Sequence, residues 1–458
     1  MYDLIIQNGQ IIDPQTQKIT IAHLCVKDGS IVKITRETLE AEKIIDASGK
    51  YVSPGFIDIH AHIEGNSANG NLMCQQGVTT VLNGNCGMGP ENPCEFMANQ
   101  NKTGFIINQL ELVGATMLRE RVGMIDPYTP LSAAQLAQAN SLLEQQLQDG
   151  GAGLSFGLEY CPGTSHEEVI TLSRTAARYG KLVAIHTRSD LFAGLASLEE
   201  AIDINRLTGA PVQISHVVYQ YGFGMMRPAL EIIDRAVAQG YDISCDSGMY
   251  TSFATHIGTA VFNQDCFEKW KCTYDSLLAA SGPYAGQRMT KEIYEDMRSN
   301  YPHEVAIALI GCPHEINMAF ELPYMMVSSD CGVNSSDDTS KGHPQDAGTF
   351  PRFIDQLVKQ SEQLTLPDAI RRMTVLPAKR MGLDHKGRMT VGSDADLVIF
   401  ELNRVKDNSR FSHEGRCDAL PDGIAQVIVG GKVAVDHQSI LCNCAGRAIP
   451  TSAKLWTY

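Results

Sequence analysis

Tyr-Val-Ser-Pro-Gly-Phe-Ile-Asp-Ile-His-Ala-His, residues 51–62, is the stretch on which the reading of this chain turns. It is an apolar run that ends in two histidines spaced i and i+2. In an extended strand such residues point to the same side. His60 and His62 therefore face one way, off the end of a strand apolar enough to be buried. Two co-directed imidazoles make half of a metal site. The arrangement recurs further along: His186 closes Leu-Val-Ala-Ile-His, and His216 closes Val-Gln-Ile-Ser-His.

Working outward, β-rich runs alternate with helical patterns. Candidate strand ends are His60/His62, Leu82–Cys86, Leu110–Val113, Leu154–Leu158, Ile185-His186, Ile214–His216, Ile243–Asp246 and Met326–Asp330. Helical patterns fall between them, among them Ala133–Gln148 and Glu167–Tyr179, each stopped by glycine. Eight strands alternating with helices predict an α/β fold, a (β/α)8 TIM-like barrel with its site at the carboxyl ends of the strands. Every metal-ligand candidate falls at that rim. Phe253 to about Tyr324 exceeds what one crossover needs and reads as an insertion at the mouth of the site.

The two chain ends read differently. Leu4–Ile6, Gln10–Ile12, His23–Lys27 and Ser30–Ile34 are short strands, and Asn8-Gly9 and Asp28-Gly29 between them are hairpin signals. Asp396–Phe400, Ala425–Val429 and Lys432–Asp436 repeat the pattern around Gly430-Gly431. Neither piece can bury a core alone. Residues 1–53 plus 384–458 are expected to form a small β-sandwich, with the hydrolase barrel inserted at 54–383 and its own insertion at about 253–324.

The chain has 458 residues, 43% hydrophobic and 19% charged, as in ordinary core-forming proteins. A net charge of −15 argues against nucleic acid and anionic membrane as partners. No apolar run reaches the roughly 18 residues of a membrane span, and no signal peptide is visible at the start. Thirteen cysteines, an odd number without a Cys-x-x-Cys pair, read as reduced thiols of a cytoplasmic protein. Whether the chain forms a homo-oligomer is left open.

Taken singly, a strand-borne histidine is an ordinary core or surface residue. Four of them in one barrel register change that, and His60, His62, His186 and His216 are read as metal ligands. Cys86, in Gly-Asn-Cys-Gly, would be an ordinary buried thiol elsewhere; beside the His pair it reads as a ligand. Asp330 closes the last strand, where a carboxylate can take a proton from water and pass it to a leaving group. Its alternative is a turn or capping Asp. Asp58 reads as support for a His ligand. His23, His166, His256, His385 and His437 keep the ordinary reading, and His343 is intermediate.

Together, Gly55–His62, Gly84–Gly87, Ile185–Arg188, Ile214–His216, Ser329-Asp330, Gly151–Tyr160, Gly348–Arg352 and Gly387–Val398 resemble the amidohydrolase superfamily, in particular its D-aminoacylase (N-acyl-D-amino-acid deacylase) family. The resemblance covers nearly the whole chain. It implies a barrel with a β-sandwich and a tight zinc held by Cys86, His186 and His216. His60, His62 and Asp330 would form a second, weaker site, and Asp330 would be the catalytic acid/base. The expected activity is hydrolysis of a C–N bond in a small-molecule amide.

Three departures bear on the substrate. The family's His-His-Lys becomes His216-Val217-Val218, its Asp-x-Tyr-Pro-Tyr becomes Asp246-Ser-Gly248-Met-Tyr250, and its His-Pro-Arg becomes His343-Pro-Gln345. The missing lysine, tyrosine and arginine grip the substrate α-carboxylate in that family. Charge-assisted bonds contribute roughly 1.5–3 kcal/mol each, so carboxylate recognition is expected to be dismantled while the metal chemistry is kept. Val218, Gly248, Tyr250 and Gln345 are candidate substrate contacts. Arg188 is a candidate substitute anchor, unless an ion pair with Asp190 or Glu159 claims it. The rivals are a cyclic amidase or heterocycle deaminase of the same superfamily, and a catalytically silent scaffold.

Overall fold

The computed structural model describes residues 1–37, 39–332 and 339–451. The two chain ends build one nine-stranded sheet. Its N-terminal members are Tyr2–Asp13, Lys18–Lys27, Ser30–Thr35, Ala41–Asp46 and Tyr51–Pro54; Leu397–Phe400, Ile424–Val429, Lys432–Asp436 and Ser439–Ile440 complete it. The seam is antiparallel, with Leu397 opposite Pro54 and Val398 opposite Ser53. Leu4, Ile6, Leu24 and Val26 share one buried core with Leu397, Ile399 and Ile428. The strands expected as a sandwich are thus hydrogen-bonded along one continuous path.

One turn signal is corrected. Asp28-Gly29 and Gly430-Gly431 do close hairpins, pairing Lys27 with Ser30 and Val429 with Lys432. Asn8-Gly9 does not: Tyr2–Asp13 runs through it as one strand with a register shift between Ile6 and Gly9. Asn8, at φ 60°, is held in this bulge because its amide donates to Asp46 Oδ1 at 3.0 Å and its N–H to His23 Nδ1 at 3.1 Å. Local side-chain bonds make an αL Asn as good a bulge as a turn.

The middle of the chain is α/β with parallel strands. Phe56–Asp58, Val78–Asn83 and Asn108–Glu111 form one arc; Val113–Gly114, Gly153–Gly157, Leu182–His186, Val212–Ile214, Ile243–Ser247 and Met325–Val327 form another. The arcs meet where Ala152 N–H donates to Glu111 O at 2.8 Å. At the opposite edges Asp330 N–H donates to His60 O at 2.9 Å and His62 N–H to Cys331 O at 2.7 Å. These strands are buried on both sides, as parallel strands covered by helices are.

The covering helices start where the sequence marks them. Ala133–Gln148 and His166–Arg178 each open on a capping box, Ser132/Gln135 and Ser165/Glu168. Leu191–Thr208 ends at Gly209 in the left-handed region. After Ile243–Ser247 the chain forms a separate antiparallel sheet, Phe253–His256, Val305–Ala308 and Leu277–Ala279, with the helices Cys266–Trp270 and Lys291–Asn300. Among the described residues no helix is long and apolar enough to cross a membrane.

Candidate metal centre

Five strand ends deliver the side chains. Cys86 follows Val78–Asn83, His186 ends Leu182–His186, His216 follows Val212–Ile214 and Asp330 follows Met325–Val327. His60 and His62 lie just past Phe56–Asp58, with ring centres 5.2 Å apart. Three of these residues sit in the left-handed region: Cys86 at φ 55°, His216 at φ 33° and Asp330 at φ 59°. An L residue pays for that conformation, and here it turns each side chain to one point. Gly157 makes room for the Cys86 loop, since a Cβ there would lie 2.1 Å from Cys86 O.

The donor atoms converge. Cys86 Sγ lies 3.5 Å from His216 Nε2, 3.7 Å from His186 Nδ1 and 3.4 Å from His60 Nε2. His186 Nδ1 is 3.0 Å from His216 Nε2. A tetrahedron with Zn–S near 2.3 Å and Zn–N near 2.0–2.1 Å has edges of about 3.3–3.6 Å. The Cys86–His186–His216 triple thus has the size of a zinc site, and His60, His62 and Cys86 form a second triple that shares the thiol. Asp330 Oδ1 stands beside the second, 3.4 Å from His60 Nε2 and 3.2 Å from His62 Nε2.

The electrostatics favour a cation. Burial, then the neighbouring His186 and His60 rings, hold His216 well below the ordinary imidazole range. Burial and the Asp330 and Asp246 carboxylates push the Cys86 thiol up. Burial would also raise Asp330, but hydrogen bonds from His60 and His62 hold its carboxyl well below the usual range. Imidazoles, a thiol and an ionised carboxylate packed this closely are a donor set that a divalent ion satisfies.

Buried groups hold the ligands in place. Asp58 accepts the His60 N–H at 3.1 Å and the Ser329 N–H at 3.1 Å, so it fixes backbone on both sides of the site. Burial pushes its carboxyl up to about 7. Asp246 accepts the His216 N–H at 2.9 Å and the Gln213 amide at 2.7 Å. Glu159 Oε2 lies 3.2 Å from His186 Nε2, the ring atom turned away from the thiol.

A family model described as amidohydrolase family matches residues 43–103 and 325–435. N-acyl-D-glutamate deacylase of Alcaligenes xylosoxydans xylosoxydans is 29% identical over 485 residues, spanning 99% of this chain and 97% of that protein. The chain resembles the amidohydrolase superfamily. Its likeness to the D-aminoacylases extends to structure. N-acyl-D-glutamate deacylase from Bordetella bronchiseptica, complexed with zinc and a phosphonate inhibitor that mimics the tetrahedral intermediate, superposes with TM-score 0.86 at 29% identity, covering 98% of this chain and 100% of that one. A D-aminoacylase structure concerned with its binuclear metal centre, one-metal activation and second-metal attenuation gives TM-score 0.87 at 27% identity over the same shares.

The positions read as substrate contacts in this chain fall in two groups. Gln345 is beside the centre: its Nε2 donates to Asp330 O at 2.6 Å, and its Oε1 accepts the Tyr219 hydroxyl at 3.0 Å. Gly248 is next to it, and a Cβ there would lie 2.2 Å from the Tyr219 oxygen. The Tyr219 phenol therefore fills the space beside Gly248. Val218 is buried in the short helix Val217–Tyr221.

Tyr250 and Arg188 are engaged elsewhere. Tyr250 bonds Asp407 and Ser409 through its hydroxyl, with Arg352 stacked 4.5 Å from its ring. Arg188 does not stand free as an anchor. Glu200 holds it through two bonds of 2.9 and 2.7 Å, and neither Asp190 nor Glu159 is its partner. Helix Leu191–Thr208 presents Glu200 one face away, a pairing invisible without the tertiary fold.

Sequence reasoning missed a buried chain behind His186. Lys269, on helix Cys266–Trp270, lies 3.0 Å from both Glu159 and Asp190, and Trp270 Nε1 donates to Asp190 Oδ2 at 2.6 Å. Glu159, next to the predicted strand end Leu154–Leu158, carried a positional signal. Lys269 and Tyr219 carried none.

Proposed function

We propose that this protein is a metal-dependent amidohydrolase that cleaves a C–N bond in a small-molecule amide or cyclic amide lacking the α-carboxylate of an N-acyl-D-amino acid. The convergence of Cys86, His186 and His216 carries the hydrolase reading, and the names of its deacylase relatives support it. Within it, Cys86, His186 and His216 would hold the tighter zinc, and His60, His62 and Asp330, sharing Cys86, a weaker one. The same proposal takes the parallel strands as a (β/α)8 barrel at 54–383 beside a terminal β-sandwich at 1–53 plus 384–458, supported by the His60–Asp330 and His62–Cys331 bonds across its edges. It also places the protein in the cytoplasm, where buried thiols such as Cys86, Cys245 and Cys331 stay reduced.

When bound, zinc supplies Lewis acidity that polarises the amide carbonyl and makes water a nucleophile at neutral pH. Asp330, ionised and oriented by His60 and His62, accepts a proton from the attacking water and returns it to the departing nitrogen. Glu159 keeps the outer nitrogen of His186 occupied, which turns the inner one toward Cys86.

The loss of carboxylate recognition is supported by charge. Near the centre, Lys269 is paired with Glu159 and Asp190, Arg188 with Glu200 and Arg352 with Asp407. Tyr219 occupies the space beside Gly248. Asp330→Asn is the test of mechanism: the tightly held zinc and circular dichroism stay unchanged while turnover falls about 10²–10⁴-fold. Undiminished turnover in that variant refutes the assignment. Efficient hydrolysis of simple N-acetyl-D-amino acids, at the rate of a dedicated deacylase, refutes the substrate class.

A further inference from the structure

Two cavities touch the ligand constellation, and they differ in size. On the His186/His216 side a void of about 20 Å³ is enclosed by Tyr160, Tyr219, Gln220, Phe253, Val261 and Asp330. That is room for a single water. On the His62 side an open cavity of about 380 Å³ is walled by Met88, Pro90, Phe96 and His256, with His62 and Glu64 at its floor. Its volume falls in the range of small-molecule sites. The first void is shut by the inserted segment, whose Lys269 spans Glu159 and Asp190.

From this asymmetry we infer that the larger cavity is the acyl pocket and that it selects an uncharged, apolar acyl group longer than acetyl. The inference rests on the amide-hydrolase reading above and adds the substrate's acyl class. Asp330, which must protonate the departing nitrogen, borders the small void with His216 and Tyr219. That void admits an unsubstituted amide nitrogen and nothing larger, so the acyl end is directed to the larger cavity, where His62 Nε2 lies 3.2 Å from Asp330 Oδ1. Met88, Pro90 and Phe96 offer an acyl chain thioether, ring and aromatic surface, and no cation. His256 spends Nδ1–H on His303 O at 2.7 Å, and burial holds its imidazole below the ordinary range, so at the rim it is a neutral wall.

The test is a series of primary amides, with acyl groups from acetyl to hexanoyl, assayed on the zinc-loaded enzyme. The expected result is a kcat/KM that rises about fourfold per methylene, the ratio given by burying one CH₂. Calorimetric Kd values for the same amides on the Asp330→Asn variant should tighten in parallel, and Phe96→Ala should flatten both trends. A flat series, or equal turnover of the N-alkylated amides, overturns the acyl pocket while leaving the hydrolase intact. Hydrolysis of no member overturns both.

Discussion

Replacing Lys269 by Met removes the one ammonium that Glu159 and Asp190 share. Both contacts are 3.0 Å, and the side chains are 10% and 2% exposed against 27% for the lysine. Breaking a fully buried pair costs about 3–5 kcal/mol, and a surface pair is worth about 0–1. With a quarter of the lysine in water, about 2 kcal/mol is the expected loss, close to a 30-fold shift of the unfolding equilibrium. Because Glu159 bonds His186, zinc retention against a chelator should fall with stability. The assay is urea unfolding of zinc-loaded wild type, Lys269→Met and Lys269→Arg at constant m-value. Arg should recover part of the loss, since it can still reach two carboxylates. A midpoint shift worth less than about 0.5 kcal/mol, the scale of a surface substitution, with unchanged zinc retention, refutes the reasoning.

Cys86→Ala should abolish tight zinc binding, measured as metal content after dialysis, because it takes the shared donor from both triples. Gly248→Ala should cost about 1–3 kcal/mol in thermal or urea unfolding through its 2.2 Å approach to the Tyr219 hydroxyl, and Tyr219→Phe in the same chain should return part of it. Buried His343 accepts the Gln345 N–H at 3.1 Å, and burial lowers it from the ordinary 6.5 to about 3. The unfolded chain therefore binds the extra proton between these values, and stability falls as pH drops from about 6.5 toward 3. At most this amounts to about 5 kcal/mol. Unfolding titrations at pH 7 and 5 should show the drop, and His343→Gln should reduce it.

The metal centre was legible because each ligand ends an apolar run. Strand geometry then aims the end residue at the rim, and His186 needed only that rule. The backbone turns that finish the job were not legible, since nothing local marks Cys86, His216 and Asp330 as left-handed. Glycine is the usual occupant there, and the strain is held by tertiary bonds such as His216 N–H to Asp246. The surroundings were harder. Arg188 pairs with Glu200 only because a helix folds back over the strand end. Tyr219 meets Gly248 across two neighbouring strand ends, a proximity set by packing. Asn8-Gly9 failed for a related reason: the dipeptide fits a bulge and a turn equally, and Asp46, 38 residues on, decides between them.

The seam in the nine-stranded sheet has a consequence for biosynthesis. Pro54 finds its partner Leu397 only after the ribosome has made everything between them, and His60 likewise waits for Asp330. Closing spans this long carries a substantial entropic toll, so the rim with the candidate metal centre is expected to be among the last parts to set. A nascent chain stalled before the final strands would then carry its imidazoles and thiol unassembled, unable to retain metal.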